Sequence, residues 1–419
     1  MVGHHYVEQL ATSGVTAKIT VIGAEPRPAY DRVHLSEFFG DAVATIDRET
    51  KTVTTEGGRS FCYDKLVLAT GSYPFVPPIP GADLPDCLVY RTIDDLGMIQ
   101  AKSKGAKIGV VVGGGLLGLE AANALQNLGL QTHVVEFAPG LMGVQLDQGG
   151  SAMLRRKIEA LGVQVHTSKA TQIIEETGGK GGTRLVMNFA DEETLATDVI
   201  VFSAGIRPSD QLARDCGLEV GPRGGITIDY HCRTSDSDIF AIGECALYGG
   251  MIFGLVAPGY RMAEVAASQL TGEHSAFQGA DMSTKLKLLG VDVGSIGDSH
   301  GKTPGAIAFT FSDERTEVYK RLVVSADGKT ALGAVLVGDC SDYDTLLQYY
   351  LNGIELPANP ETMILPASEG GAPLLGAAAL PATATICSCH NVSKGDIISA
   401  IDGGCCSLSD VKCETAAST

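Results

Sequence analysis

The sequence predicts an α/β protein with two Rossmann-like dinucleotide-binding domains of the three-layer kind, on three observations. Ile108–Glu136 reads strand, glycine turn, helix, strand and acid in that order. Gly3, a helix over residues 3–12, the strand Ala17–Ile22 and Glu25 repeat the end of the same pattern near the start of the chain. Two further strands, Leu66–Ala69 and one opening at Ile239, run into Ala69-Thr70-Gly71 and Gly243-Glu244. Open parallel sheets bind ligands beyond the carboxyl ends of their strands.

Within the central stretch, Ile108–Val112 is a short apolar run that suits a buried parallel strand. Gly113, Gly115 and Gly118 follow with G-x-G-x-x-G spacing. Gly113 permits the tight turn, Gly115 lets backbone approach a pyrophosphate, and Gly118 lets helix and strand touch. Leu116–Leu128 then reads as a helix stopped by Gly129. Its N-terminal N–H groups and dipole would face the phosphates. Gln131–Glu136 is the next strand, and Glu136 falls where a carboxylate accepts hydrogen bonds from a ribose diol. The same acid repels a 2′-phosphate, so NADH is favoured over NADPH. The plain alternative is a structural turn between strand and helix.

Composition narrows the class. A chain of 419 residues with 44% hydrophobic residues can bury cores for two to four domains. The net charge of −18, with no Lys/Arg-rich run, argues against nucleic acid as a partner. No apolar run approaches the roughly 18 residues of a membrane span, so no membrane partner is expected. The start, MVGHHYVEQL, lacks the basic and apolar regions of a signal peptide. The expected compartment is the cytoplasm, where the 11 cysteines stay mostly reduced.

Taken in order, residues 3–12 read as a helix. Val43–Asp47 and Thr52–Thr55 read as hairpin strands with a turn at Gly57–Gly58. VPPIPG at 76–81 is a stiff connector, because each proline fixes its own φ. Thr92–Lys102 reads as a helix, as does Ser151–Leu161, followed by strands at Val163–His166, Gln172–Glu176 and Arg184–Phe189. Asp198–Ser203 is another buried strand, ending at Ala204-Gly205. Gly225–Ile228 and Thr234–Asp238 lead to a strand over Ile239–Cys245, and Ala257–Ala267 reads as a helix with Pro258 in its first turn. Strands follow at 306–311, 317–324 and 331–337, then a helix near Tyr343–Leu351.

Two nucleotide units, an ATG at a strand end and a late Gly-acid pair before a helix resemble the two-dinucleotide-fold flavoprotein reductases over about residues 1–270. The resemblance implies FAD in the first unit, held by Glu25, Arg32, Ser36, Ala69, Thr70, Gly71, Gly243 and Glu244. That family usually carries Asp where Glu244 stands. It implies NADH in the inserted unit at Gly113, Gly115, Gly118, Glu136 and Gly205. The C-x4-C of disulfide reductases is absent, so dithiol chemistry is not expected. The segments YDRVHLS, YDKLVLATGSYPFVPPIPG, DIFAIGECA, GLVAPGYRMA and GADMSTKLKLLGVDV narrow the resemblance to the large subunits of assimilatory NADH-dependent nitrite reductases.

Cys387-Ser388-Cys389 ahead of a helix brings two thiolates near one point, where helix N–H groups at 391–395 stabilise a negative cluster. The run resembles the bacterioferritin-associated-ferredoxin (BFD-like) type of [2Fe–2S] domain. That type takes two more cysteines beyond the helical segment. Cys405, Cys406 and Cys413 are the candidates, and the first two are adjacent, which is poor geometry for one iron. The cluster is expected to be complete only in the whole protein. The expected organisation is thus 1–103 with 201–272 for FAD, incomplete at its N-terminus, and 104–200 for NAD. A small α+β domain at 273–365, an Ala/Gly/Pro-rich linker at 366–385, and a truncated BFD-like domain at 386–419 follow.

The resemblance implies hydride transfer from NADH to FAD, then electrons to the iron–sulfur centre and to a siroheme that reduces nitrite to ammonium. Siroheme and its [4Fe–4S] centre are expected outside these residues. Expected partners are that siroheme domain and a small subunit; in related reductases a domain comparable to 273–365 either covers the flavin or forms a homodimer interface, and composition does not say which. Glu120 is the candidate for orienting the nicotinamide; as a bland alternative it is a helix-surface acid. Two other functions stay open. One is a stand-alone NADH-dependent ferredoxin or rubredoxin reductase. The other is a non-enzymatic nucleotide-binding fragment with a broken FAD site, because the strand and glycines expected ahead of Gly3 and a segment after Gly40 are missing from the pattern.

Overall fold

The computed structural model describes residues 1–24, 38–40, 42–178, 183–366, 380–387 and 392–417. Glu25, Arg32, Ser36 and Cys389 lie outside the described residues. The helices are α1 (Val2–Thr12), α2 (Ile93–Ser103), α3 (Leu116–Asn127), α4 (Gln148–Ala160), α5 (Gln211–Asp215), α6 (Val256–Thr271), α7 (Tyr343–Asn352), α8 (Lys394–Asp402) and α9 (Leu408–Thr415). The chain forms two compact units. One holds Met1–Tyr73, Arg207–Met282 and Ile386–Thr419; the other holds Pro74–Ile206 and Ser283–Thr385.

In the first unit, Leu66–Leu68 pairs in parallel with Ile239–Ala241. Val21–Gly23 pairs in parallel with Phe38–Gly40. The strand expected over Ala17–Ile22 is observed over Val21–Gly23. Helices α1 and α6 bury Tyr6, Leu10, Met262 and Val265 against Ile239 and Phe240. Val43–Asp47, Thr52–Thr55 and Ser60–Cys62 form a three-stranded antiparallel sheet. Gly57–Gly58 therefore leads to a third strand rather than closing the first hairpin. Thr234–Asp238 is a local turn: Thr234 Oγ1 donates to the Asp236 carbonyl, and Asp238 N–H donates to the Asp236 carboxylate at 2.9 Å. Both C-terminal helices start on reciprocal caps, Ser393 with Asp396 and Ser407 with Asp410.

The second unit is built on a five-stranded parallel sheet. Its order is Gln164–His166, Gln131–Val135, Ile108–Val112, Val199–Phe202, Cys87–Val89. The central strand is flanked on both sides, which is why Val110 and Val111 are wholly buried. Cys87–Val89 pairs in parallel with Val199–Phe202. This pairing puts the boundary at Pro74 rather than at residue 104, and carries α2 into this unit. An antiparallel sheet of Thr171–Glu176, Leu185–Phe189 and Thr194–Thr197 follows.

Residues 284–337 form a second five-stranded sheet, wholly antiparallel, with α7 packed on it through Tyr343, Leu346 and Tyr349. Two of its strands, Thr284–Leu288 and Val291–Gly297, come ahead of those the sequence suggested. Helix α4 begins three residues earlier than expected, at Gln148. Asp147 caps it by accepting the Gly150 N–H. Gly149 and Gly150 lie against the Tyr319 ring and Val335, where added Cβ atoms would approach to 2.5 and 2.8 Å. Leu146, Leu154, Val291, Tyr319 and Val335 thus belong to one core. Among the described residues no helix is long and apolar enough to cross a membrane.

Candidate nucleotide-binding sites

The glycine turn in the second unit is fixed by backbone contact. Gly113 has φ +119°, and a Cβ there would overlap the Ser203 carbonyl. A Cβ at Gly118 would overlap the Gly113 carbonyl in the same way. Gly115 differs: nothing lies within 4 Å of its Cβ position. As N-cap of α3 it has no side chain to occupy the first free N–H groups of the helix. The open space therefore lies where a helix dipole favours a phosphate.

Glu136 stands beside this turn. One carboxylate oxygen accepts the Gly114 N–H at 2.6 Å and the other accepts the Ala138 N–H at 2.7 Å. The acid thus helps to shape the turn. Each oxygen keeps a second lone pair for a ribose hydroxyl. Glu120 lies one turn into α3 and is exposed. Its carboxylate acts on Tyr90, whose phenol is pushed up first by burial and then by this charge. Tyr90 follows the edge strand and was not singled out in the sequence; a tyrosine just past a strand end was the available signal. Gly205, with φ +103°, accepts the Phe75 N–H through its carbonyl at 2.9 Å.

Two histidines lie on the strands next to Glu136. His133 Nδ1 and His166 Nε2 are 3.0 Å apart. Burial first, then its neighbour, pulls His133 down to about 4. His166 is also lowered, by burial and by Lys169.

In the first unit, Ala69, Thr70 and Gly71 follow the strand Leu66–Leu68, and Gly243-Glu244 follow Ile239–Ala241. The open end of α1 lies beside them, with Val2 against Gly243 and Gly259 and with Gly3 against Ala69. Ala69 and Thr70 are exposed, so this mouth is open. Thr70 Oγ1 donates to the Ser209 carbonyl at 2.6 Å. Ser72 Oγ donates to Glu244 at 2.6 Å and orients that carboxylate. Ser72 was missed in the sequence because its partner lies 172 positions away.

Cys387 ends a short strand and is half-buried, and α8 begins at Lys394, within the span expected for it. Among the described residues, no three His, Cys, Asp or Glu side chains gather where a metal ion could sit. Cys405 is pushed up by burial and then by Glu414 and Asp410.

The chain belongs to the pyridine nucleotide-disulphide oxidoreductase family, whose model matches residues 4–269. Residues 283–354 match the rubredoxin NAD+ reductase C-terminal domain. It is therefore an oxidoreductase with a Rossmann-like α/β fold. Within that class it is similar to the nitrite reductase (NADH) large subunit of Escherichia coli K12, at 55% identity over 100% of this chain and 52% of that protein. A nitrite reductase [NAD(P)H] of Bacillus subtilis is 36% identical over 100% of this chain and 54% of its own length. The chain thus spans about half the length of these relatives. The structure of a FAD-dependent pyridine nucleotide-disulphide oxidoreductase from Desulfovibrio vulgaris superposes with a TM-score of 0.67. It is 30% identical, and the match covers 80% of this chain and 85% of that one.

Proposed function

We propose that this chain is the electron-entry portion of an NADH-dependent nitrite reductase. The observation that carries the reading is the open face of Gly115 between the α3 N-terminus and Glu136. Similarity to nitrite reductase large subunits over the whole of this chain supports it. The α3 N–H groups would bind the NADH pyrophosphate, with Gly113 and Gly118 shaping the turn. Glu136 would take the adenosine ribose diol, Gly205 would leave room for the cofactor, and Glu120 would orient the nicotinamide. Ala69, Thr70, Gly71, Gly243 and Glu244 would hold FAD, with Glu25, Arg32 and Ser36 completing that site. Bound FAD supplies the conversion between hydride transfer and single-electron delivery.

Cys387 and Cys389 would give two ligands to a [2Fe–2S] cluster. A siroheme domain with its [4Fe–4S] centre, outside these residues, would reduce nitrite to ammonium. A small subunit, a homodimer and a cytoplasmic setting belong to the same reading. The match of 283–354 favours one second reading, an NADH-dependent rubredoxin or ferredoxin reductase.

An absorption spectrum of the purified chain, followed by anaerobic NADH, tests both. Flavin bands bleached by NADH are the expected result. A colourless protein that binds NADH sinks both readings and leaves a nucleotide-binding fragment. NADH oxidation driven by nitrite in the full-length protein, and not by rubredoxin, separates the first from the second.

A further inference from the structure

Phe137 follows Glu136 and is 78% exposed, more than Tyr73 at 55% or Tyr230 at 54%. Buried residues lie a few positions to either side of it: Val134 and Val135 before, Leu141 and Met142 after. The exposure does not come from a loose backbone. Glu136 N–H donates to the His166 carbonyl at 2.8 Å, and Lys169 N–H donates to the Glu136 carbonyl at 3.0 Å. Ala138 N–H is held by the Glu136 carboxylate at 2.7 Å, and Ser168 N–H donates to the Ala138 carbonyl at 2.9 Å. Both residues flanking Phe137 are thus tied on their N–H and C=O sides. A rigidly mounted aromatic ring left in water forgoes the gain that its burial would bring.

We infer that the Phe137 ring is a stacking surface for the adenine of the dinucleotide bound at the glycine turn. The inference rests on the proposal that Glu136 holds the adenosine ribose. The base is bonded to that ribose, and one residue of extended chain covers only about 3.5 Å. The ring next to the acid is therefore within reach of the base. A purine offers a flat π-face, and aromatic side chains stack on such faces without needing hydrogen bonds.

The test is equilibrium binding by calorimetry on the full chain, with ADP-ribose, NAD+ and nicotinamide mononucleotide as probes. Phe137→Ala should weaken ADP-ribose and NAD+ on the order of tenfold. It should leave nicotinamide mononucleotide, which has no adenine, unchanged. Phe137→Tyr should bind like the parent. Glu136→Ala should weaken ADP-ribose whether or not the ring stacks, and so tests the ribose site separately. If Phe137→Ala binds ADP-ribose like the parent while Glu136→Ala does not, the stacking surface is refuted and the nucleotide site stands. If the parent binds neither ADP-ribose nor NAD+, both ideas fail. A change in oligomeric state on Phe137→Ala, with binding unaltered, would assign the ring to a contact between copies and overturn the inference.

Discussion

Gly113 and Gly115 lie two positions apart and differ in what they tolerate. A methyl group at Gly113 meets the Ser203 carbonyl, which belongs to the sheet and cannot step aside, and φ +119° adds strain. Gly113→Ala should cost about 3 kcal/mol of stability, read as a shift of the urea midpoint. Gly115→Ala meets nothing within 4 Å. That variant should keep its urea midpoint yet lose NADH affinity, because the methyl group would occupy the space left for phosphate. Both glycines were legible from spacing, and so was Glu136. That both Glu136 oxygens hold backbone N–H groups was not, since the bond to Gly114 depends on how two strands align.

At the scale of elements, α4 shows why sequence periodicity falls short. The helix was expected only from Ser151, and glycine, at 149 and 150, is a poor helix former. The helix starts at Gln148 because the glycines admit the Tyr319 ring and Val335, more than 150 positions away. Asp147 joins the two parts: it caps α4 and accepts from Tyr319 Oη at 2.6 Å and Arg321 Nη1 at 2.8 Å. Asp147→Ala should cost about 3 kcal/mol, summing a cap and charge-assisted hydrogen bonds. Asp147→Asn keeps a capping oxygen and should lose about half as much. Urea denaturation followed by circular dichroism measures both.

The His133–His166 pair gives the five-stranded parallel sheet a pH dependence. His133 falls to about 4 in the folded state, below the ordinary histidine value of about 6.5. Below about 6.5 the unfolded chain takes up a proton that the folded chain does not. The pair's contribution is therefore full above 6.5 and drains away as pH falls toward 4. Lys169 and Arg155 beside His166 oppose protonation, while Glu193 and Glu159 favour it. The expected loss is on the order of 2 kcal/mol, seen in urea midpoints between pH 7 and pH 4. His133→Phe should flatten that slope; an unchanged slope would refute this source.

For the whole molecule, the order of elements was legible and the borders were not. The run of strand, turn, helix and strand at 108–136 is local, so periodicity and glycine spacing define it. Cys87–Val89 joins the same sheet only through pairing with Val199–Phe202, and no local pattern carries that information. The proline-rich VPPIPG at 76–81 reads as a connector, yet it lies past the border at Pro74. The first unit was less legible, because Glu25 rests on an incomplete repeat of the nucleotide pattern, and Arg32 and Ser36 gain a role only through resemblance.

The core that α4 shares with the second sheet limits how this chain can be recombined. Leu146 and Leu154 pack in the same cluster as Val291, Tyr319 and Val335. A chimera that exchanges 104–200 alone would set foreign residues against Tyr319 and Val335 and leave the glycines of α4 facing a mismatched surface. Swapping nicotinamide specificity between relatives therefore calls for two separate segments, 74–206 and 283–337, taken from one parent. The segments that must travel together are set by packing, although they lie apart in the sequence.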